Sequence, residues 1–169
     1  MDYTIRPAQK SDASAMYRIS VRAHTQTYYE AIITAESMRE FIEYYRFSAR
    51  RQERFMTIMN RKMSDDKWSL SVAESHNEVI GYTLGYREDE HTLQLKGLFV
   101  DPMYHRHGVG SALFRASLAF APGATIIRLS VLEANKVAKR MYEKNGFVDI
   151  GRDEKAFFGA EQIIMERKQ

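Results

Sequence analysis

Between Trp68 and Val100 the sequence alternates β-branched and aromatic residues with small or polar ones in three runs, WSLSVAE, VIGYTLGY and TLQLKGLFV, separated by the turn-like SHNE and the polar REDEH. A period of two argues for strands, and short polar connections argue that consecutive strands are antiparallel neighbours. Three such strands at the centre of a chain demand a sheet, and the flanking segments must cover it. Upstream, Tyr3 to Pro7 predicts a short strand. SDASAMYRISVRAH predicts a helix capped by Ser11 or Asp12 ahead of Ala15, Met16, Ile19 and Ala23. From Thr34 to Met63, Met38, Phe41, Tyr45, Phe55 and Met59 recur at roughly helical spacing, which predicts one or two helices.

Downstream of Val100 a helix runs to Phe120 and breaks at Ala121-Pro122-Gly123. TIIRLSVL then predicts a strand, and Asn135 to Lys144 a helix closed by Gly146. Phe147 to Ile150 and Gln162 to Met165 read as two closing strands separated by a charged and aromatic loop. The predicted order is β-α-α-β-β-β-α-β-α-β-β, a mixed α/β (α+β) layer structure with a long sheet. The 169 residues, 44% hydrophobic and 28% charged, show no linker or repeat and fit one domain spanning 1–169.

A net charge of +3 and a pI near 9.1 favour anionic ligands without the concentrated field of a nucleic-acid binder. Absence of cysteine excludes disulfides, thiolate metal sites and a cysteine nucleophile, and suits a reducing compartment. MDYTIRPAQKSD has no apolar signal core, and nowhere do about 18 apolar residues run together, so the expectation is a soluble, cytoplasmic protein with no membrane partner.

Two segments carry chemistry. In DPMYHRHGVGSALF, Gly108 and Gly110 stand between an apolar strand and a helix beginning near Val109. Unpaired N–H groups and the helix dipole there favour an anion. An ordinary loop-to-helix junction is the competing reading. GxxxxGK[ST] is absent, and GVGSAL lacks the third glycine of the dinucleotide fingerprint. His105, Arg106 and His107 form a cationic rim; a His105/His107 metal pair has no third ligand nearby, so no metal is expected. In NKVAKRMYEKNGF, Asn135 caps a helix, Tyr142 lies close to the same face seven residues on, and Gly146-Phe147 starts the next strand. A purely structural role for Val137, Met141 and Tyr142 as core is the alternative.

Together these segments resemble those of the Gcn5-related N-acetyltransferases (GNAT). YHRHGVGSALF is similar to their [QR]-x-x-G-x-[GA] pyrophosphate loop and NKVAKRMYEKNGF to their N-x-x-A-x-x-x-Y-x-x-x-G-F segment. The resemblance implies a mostly antiparallel sheet of about seven strands flanked by about four helices, with acetyl-CoA as cosubstrate held between the splayed strands LQLKGLFV and TIIRLSVL. By similarity, the backbone of Leu98, Phe99 and Val100 would pair with the pantetheine arm. N–H groups from Arg106, His107, Gly108, Val109, Gly110 and Ser111 would hold the pyrophosphate, with His105 opening the same cofactor-binding loop. Asn135 would contact pantetheine, Lys144 the nucleotide phosphates, and Tyr142 would be the general acid for the departing thiolate. An alkyl amine is only about one part in a thousand neutral at pH 7, so a proton must leave before attack. The Leu98 N–H would stabilise the oxyanion, a donor worth about 3 kcal/mol in related chemistry.

The chain departs from the family twice. His105 stands where Gln or Arg is usual, and Gln94 and Lys96 stand where many relatives carry a glutamate base, which leaves the base unassigned. The segment from His24 to Phe55 and the tail FFGAEQIIMERK are most similar to the PaiA-type branch, which implies a polyamine acceptor such as spermidine or spermine. Glu30, Glu36 and the run Glu88-Asp89-Glu90 are the carboxylates for it, although that run also reads as a solvated hairpin tip. A protein N-terminus or lysine is the alternative acceptor. A CoA-binding regulatory or DNA-binding protein using Arg46, Arg50, Arg51, Arg54, Arg61 and Lys62 is the alternative of another class; interleaved acids favour a solvated helix face there. Beyond the small-molecule amine, the sequence leaves a homodimer open.

Overall fold

The structure, a computed structural model, describes residues 1–29, 35–45, 48–157 and 160–168. Its elements are β1 (Thr4–Pro7), α1 (Ala13–Tyr29), α2 (Ala35–Tyr45), α3 (Ala49–Met63), β2 (Trp68–Ser75), β3 (Glu78–Arg87), β4 (Thr92–Val100), α4 (Val109–Phe120), β5 (Ile126–Leu132), α5 (Lys136–Lys144), β6 (Val148–Phe157) and β7 (Ala160–Lys168). Seven strands form one sheet in the order β1-β2-β3-β4-β5-β7-β6. Every pairing is antiparallel except β4 with β5, which α4 connects as a crossover. Among the described residues no helix is long and apolar enough to cross a membrane.

The period-two pattern sorts the strand residues onto two faces. Leu93, Leu95, Ile127, Leu129, Val131, Ile163 and Met165 pack with Phe114 of α4 and Tyr142 of α5. On the other face, Leu70, Val72, Tyr82 and Leu84 pack with Met16 and Ile19 of α1 and Met59 of α3. Full burial of one such side chain contributes about 1.5–3 kcal/mol, so each face holds its helices by several of them.

Two expectations are sharpened. Of the one or two helices expected through Met63, the described residues show two, which makes five helices among them where the expected order counted four; the Ser48 hydroxyl accepts the Arg51 N–H at 3.2 Å and starts α3 anew. The closing strands are also longer than Phe147 to Ile150 and Gln162 to Met165. β6 and β7 run ten and nine residues, so residues 151–157 and 160–161, expected as loop, are strand. β6 is the sheet's edge, where charged residues are tolerated and guard against further pairing. By contrast, SHNE is the expected turn. His76 and Asn77 both have positive φ, 50° and 63°, as a two-residue hairpin loop of matching twist requires.

One irregularity shapes the centre of the sheet. Leu84 opposes Gly97 and Gly85 opposes Leu95, so Lys96 is an extra residue in β4, a bulge. The Thr83 hydroxyl, fully buried, donates to the Gly97 carbonyl at 3.1 Å and pairs with the Ser117 hydroxyl of α4 at 2.8 Å, fixing the bulge to the helix beneath it.

At the sheet's other end, Arg6 of β1 binds both Asp12 oxygens, at 2.7 and 3.0 Å, and Glu74 of β2 through Nε at 2.8 Å. Asp12 also accepts the Gln9 N–H at 2.7 Å, fastening the entry to α1. Burial alone would raise the Asp12 pKa. The guanidinium of Arg6 and the Gln9 N–H outweigh it and hold the carboxyl below its ordinary 3.8. A lowered folded pKa means that this stabilisation is present above about pH 4 and is lost as pH falls through the folded value. Asp12→Asn should therefore lower stability near neutral pH by roughly 2 kcal/mol, less than for a fully sealed pair because Arg6 is partly exposed. Urea unfolding at neutral pH and at about pH 3 should show the wild type converging on the variant in acid.

Candidate active site

Pairing between β4 and β5 covers only Thr92 to Leu95 against Ile126 to Leu129. Beyond that last rung the strands part, and β4 continues for five residues beside β3 alone. The Asp101 N–H donates to Ile80 O at 2.8 Å. Alternation along the strand therefore turns the N–H and C=O of Phe99 toward β3 and those of Leu98 and Val100 into the gap. Of the three residues expected to offer backbone to a ligand, Leu98 and Val100 keep the open orientation, whereas the backbone of Phe99 faces its partner Tyr82.

The glycine loop stands at the mouth of this gap. Arg106 and Gly108 both have left-handed φ, 66° and 81°, which curls successive N–H groups toward one side. Gly108 is the N-cap of α4, whose first bond runs from the Ala112 N–H to Gly108 O at 3.0 Å. Among the described residues, no acceptor takes the N–H groups of Arg106, His107, Gly108, Val109, Gly110 or Ser111. A methyl at Gly110 would lie 3.6 Å from Leu98, 3.7 Å from Met141 Sδ and 3.8 Å from Val100, so this glycine bridges β4 and α5 across the gap. A run of free donors at a helix N-terminus fits a diphosphate.

The rim differs from the sequence expectation in one respect. A ring nitrogen of His105, Nε2, lies 3.2 Å from the Val100 carbonyl, so this side chain turns back to fasten the loop to the strand end. Arg106 and His107 are exposed basic side chains beside the cradle. Asp101 anchors the same corner: it accepts the Met103 N–H at 3.1 Å and pairs with Arg22 of α1 at 2.7 Å.

Across the gap, Asn135 caps α5 by accepting the Ala138 N–H at 3.1 Å, which leaves its amide N–H₂ to donate elsewhere. Tyr142 is buried in the cluster that contains Leu95 and Leu129, the last paired rung, and packs at 6.4 Å from Phe114 and 5.6 Å from Phe147. Burial drives its phenol pKa well above the ordinary 10.0, so it holds its proton at neutral pH. Lys144 is exposed in the last turn of α5.

The acceptor-side carboxylates do not gather. Glu30 lies outside the described residues, as does Arg46 of the basic surface. Glu36 is exposed in the first turn of α2. Glu88 precedes the start of β4, whose nine residues put it about 26 Å from the glycine loop. Asp89 accepts the N–H groups of His91 and Thr92 at 2.8 and 2.7 Å, so that residue shapes the hairpin tip.

A residue that the sequence reading passed over is His24 of α1. Its ring packs 4.8 Å from Phe99, and Nδ1 lies 2.6 Å from the Ser20 carbonyl. Burial pushes its pKa down to about 4 against the opposing effect of that carbonyl, leaving a neutral imidazole with its proton on Nδ1. Only its place on the strand-facing side of α1 marked it in the sequence.

The pattern of the acetyltransferase (GNAT) family matches residues 20–147. An uncharacterized N-acetyltransferase of Mycobacterium tuberculosis is 32% identical over 87 residues, 50% of this chain and 56% of that protein; the chain thus spans about half the length of the curated relatives it matches. The fold is similar to that of PaiA N-acetyltransferase from Thermoplasma acidophilum, solved in complex with coenzyme A, with a TM-score of 0.80, 22% identity and 100% of both chains covered. It is also similar to Ard1 from Thermoplasma volcanium, with a TM-score of 0.73, 23% identity, and 99% of this chain and 98% of that one covered. With the family pattern spanning most of its length, including both glycine-bearing segments, the chain belongs to the GNAT acetyltransferase family.

Proposed function

We propose that this protein transfers the acetyl group of acetyl-CoA to a primary amine. One observation carries the reading: the unpaired donors of Arg106 to Ser111 and the open backbone of Leu98, with the gap-facing N–H of Val100, meet at a single gap. Coenzyme A bound in a similar fold adds support. In this reading the loop N–H groups hold the pyrophosphate, and the Leu98 backbone and Val100 N–H align the pantetheine arm as an added strand. Arg106 supplies the side-chain charge that the turned-back His105 does not, and Lys144 approaches the nucleotide phosphates.

The thioester is the acyl donor, and the amine attacks it directly. The Leu98 N–H meets the developing oxyanion; as the C–S bond breaks, Tyr142 delivers its proton to the leaving sulfur and is restored by the proton that the attacking nitrogen loses. Asn135 turns its free amide toward the pantetheine side. A polyamine remains the acceptor implied by the PaiA-type resemblance, with Glu36 as the described carboxylate nearest that role in sequence; a protein amine is the second reading. Thiol release from acetyl-CoA across polyamines, simple amines and peptide N-termini tests the reaction. No release with any amine would overturn it.

Two variants probe the site. Tyr142→Phe should lower kcat by about a hundredfold while CoA affinity stays within a factor of about two, because the hydroxyl acts only as the thiolate departs. An unchanged kcat removes Tyr142 from the acid role. At Gly110 the protein itself accommodates a methyl at ordinary contact distances. Gly110→Ala should therefore melt like the wild type yet bind CoA about tenfold more weakly by titration calorimetry, since the methyl narrows the mouth of the gap. Equal affinity would place the phosphates elsewhere.

A further inference from the structure

One short turn, Pro102–Tyr104, separates the end of β4 from the glycine loop, and Asp101 holds it. The Asp101 N–H donates to Ile80 O at 2.8 Å, its carbonyl accepts the Tyr104 N–H at 2.8 Å, and Oδ1 accepts the Met103 N–H at 3.1 Å. Oδ2 accepts Nη1 of Arg22, from α1, at 2.7 Å. The carboxylate is 8% exposed and the Arg22 side chain 59%.

Apolar packing contributes little at this junction. Met103 is 79% exposed, and an open cavity of about 420 Å³ lies between Val21 and Thr25 of α1 and Pro102 and Met103 of the turn. Arg22 and Asp101 line the same cavity, and their ion pair ties its two walls together. α1 is a firm base for that tie, since Met16 and Ile19 are buried against the sheet and the Arg6–Asp12 pair fastens the helix entry.

The direction of the donors from Arg106 to Ser111 depends on where the turn delivers the chain. Val109 and Leu113 fix the helix side of the loop in the core. The strand side rests on Asp101 and on the His105 ring nitrogen beside the Val100 carbonyl. Several N–H groups must converge on one diphosphate, so a small displacement of the array costs affinity.

We infer that Arg22 is a positioning residue for coenzyme A: through Asp101 it holds the turn and so aims the N–H groups of Arg106 to Ser111 at the diphosphate, without touching the cofactor itself. This rests on the acetyl-CoA reading of the gap. It adds to that site a residue of α1, which packs on the face of the sheet opposite α4 and α5.

Calorimetry with CoA tests it, together with thiol release from two donors, acetyl-CoA and S-acetylpantetheine, which lacks the diphosphate. Arg22→Ala should weaken CoA binding about tenfold and raise KM for acetyl-CoA to match, with kcat within a factor of about two. Its kcat/KM for S-acetylpantetheine should equal that of the wild type. Nη1 alone of the guanidinium nitrogens hydrogen-bonds the carboxylate, so Arg22→Lys should recover most of the affinity. In an Asp101→Asn background, whose carboxamide can still accept the Met103 N–H, Arg22→Ala should cost no more than about twofold.

CoA binding that Arg22→Ala leaves intact overturns the inference alone. A tenfold loss that persists with Asp101→Asn does so too, because Arg22 would then act on the phosphates directly, and so does an equal loss with S-acetylpantetheine, which marks a general disturbance of the fold. If neither donor releases thiol with any amine, acetyl transfer falls, and the calorimetric comparisons decide the role of Arg22. If the wild type binds no CoA, the cofactor reading falls and this inference with it.

Discussion

Backbone polar groups inside a sheet are normally paired, and those of Leu98 and Val100 on the gap side are not paired to β5. The cause is the Lys96 bulge, which adds a residue to β4 and bends it away just after Leu95 meets Leu129. Thr83 holds the bend by binding the Gly97 carbonyl, and Ser117 ties Thr83 to α4. Without that fixed divergence there would be neither an open strand edge nor room between β4 and α5. The same geometry that leaves backbone groups unsatisfied creates a place for an extended ligand to satisfy them.

The elements around the gap are arranged by ordinary packing rather than by special chemistry. α4 is held against the sheet by Leu113 and Phe114, which presents its N-terminus and the curled loop at the mouth. α5 is closed by Gly146 with φ of 84°, and Phe147 then enters the core beside Tyr142. Burial keeps the Tyr142 proton in place and the His24 ring neutral, so two titratable groups near the gap have their protonation set by the core.

Features that depend on neighbours a few residues away were legible in the sequence. Gly108 requires a left-handed φ at a helix start, Asn135 caps the next N–H groups, and Gly146 closes a helix. Tyr142 could be placed on the Asn135 face by counting turns. Ser48 was equally local, yet the aromatic periodicity around it masked the break between α2 and α3. Charge alone left Glu88 open between an acceptor site and a hairpin tip, because composition cannot say which end of a strand faces a gap and which faces solvent. His105 was similarly ambiguous: its nearest acceptor is the carbonyl of a strand end that the loop curls back to meet.

The sequence by itself determined the alternating strands, the helix caps and the glycine positions, since these follow from φ/ψ preferences and periodicity within one or two turns of chain. It therefore determined the order of elements, apart from the break between α2 and α3, and the two segments that mark the family. Tertiary structure decided the rest. The residue that became the bulge, the rung where β4 leaves β5 and the turned-back His105 all depend on contacts between segments distant along the fold. Register is set by burying whole faces at once, so no single segment encodes it.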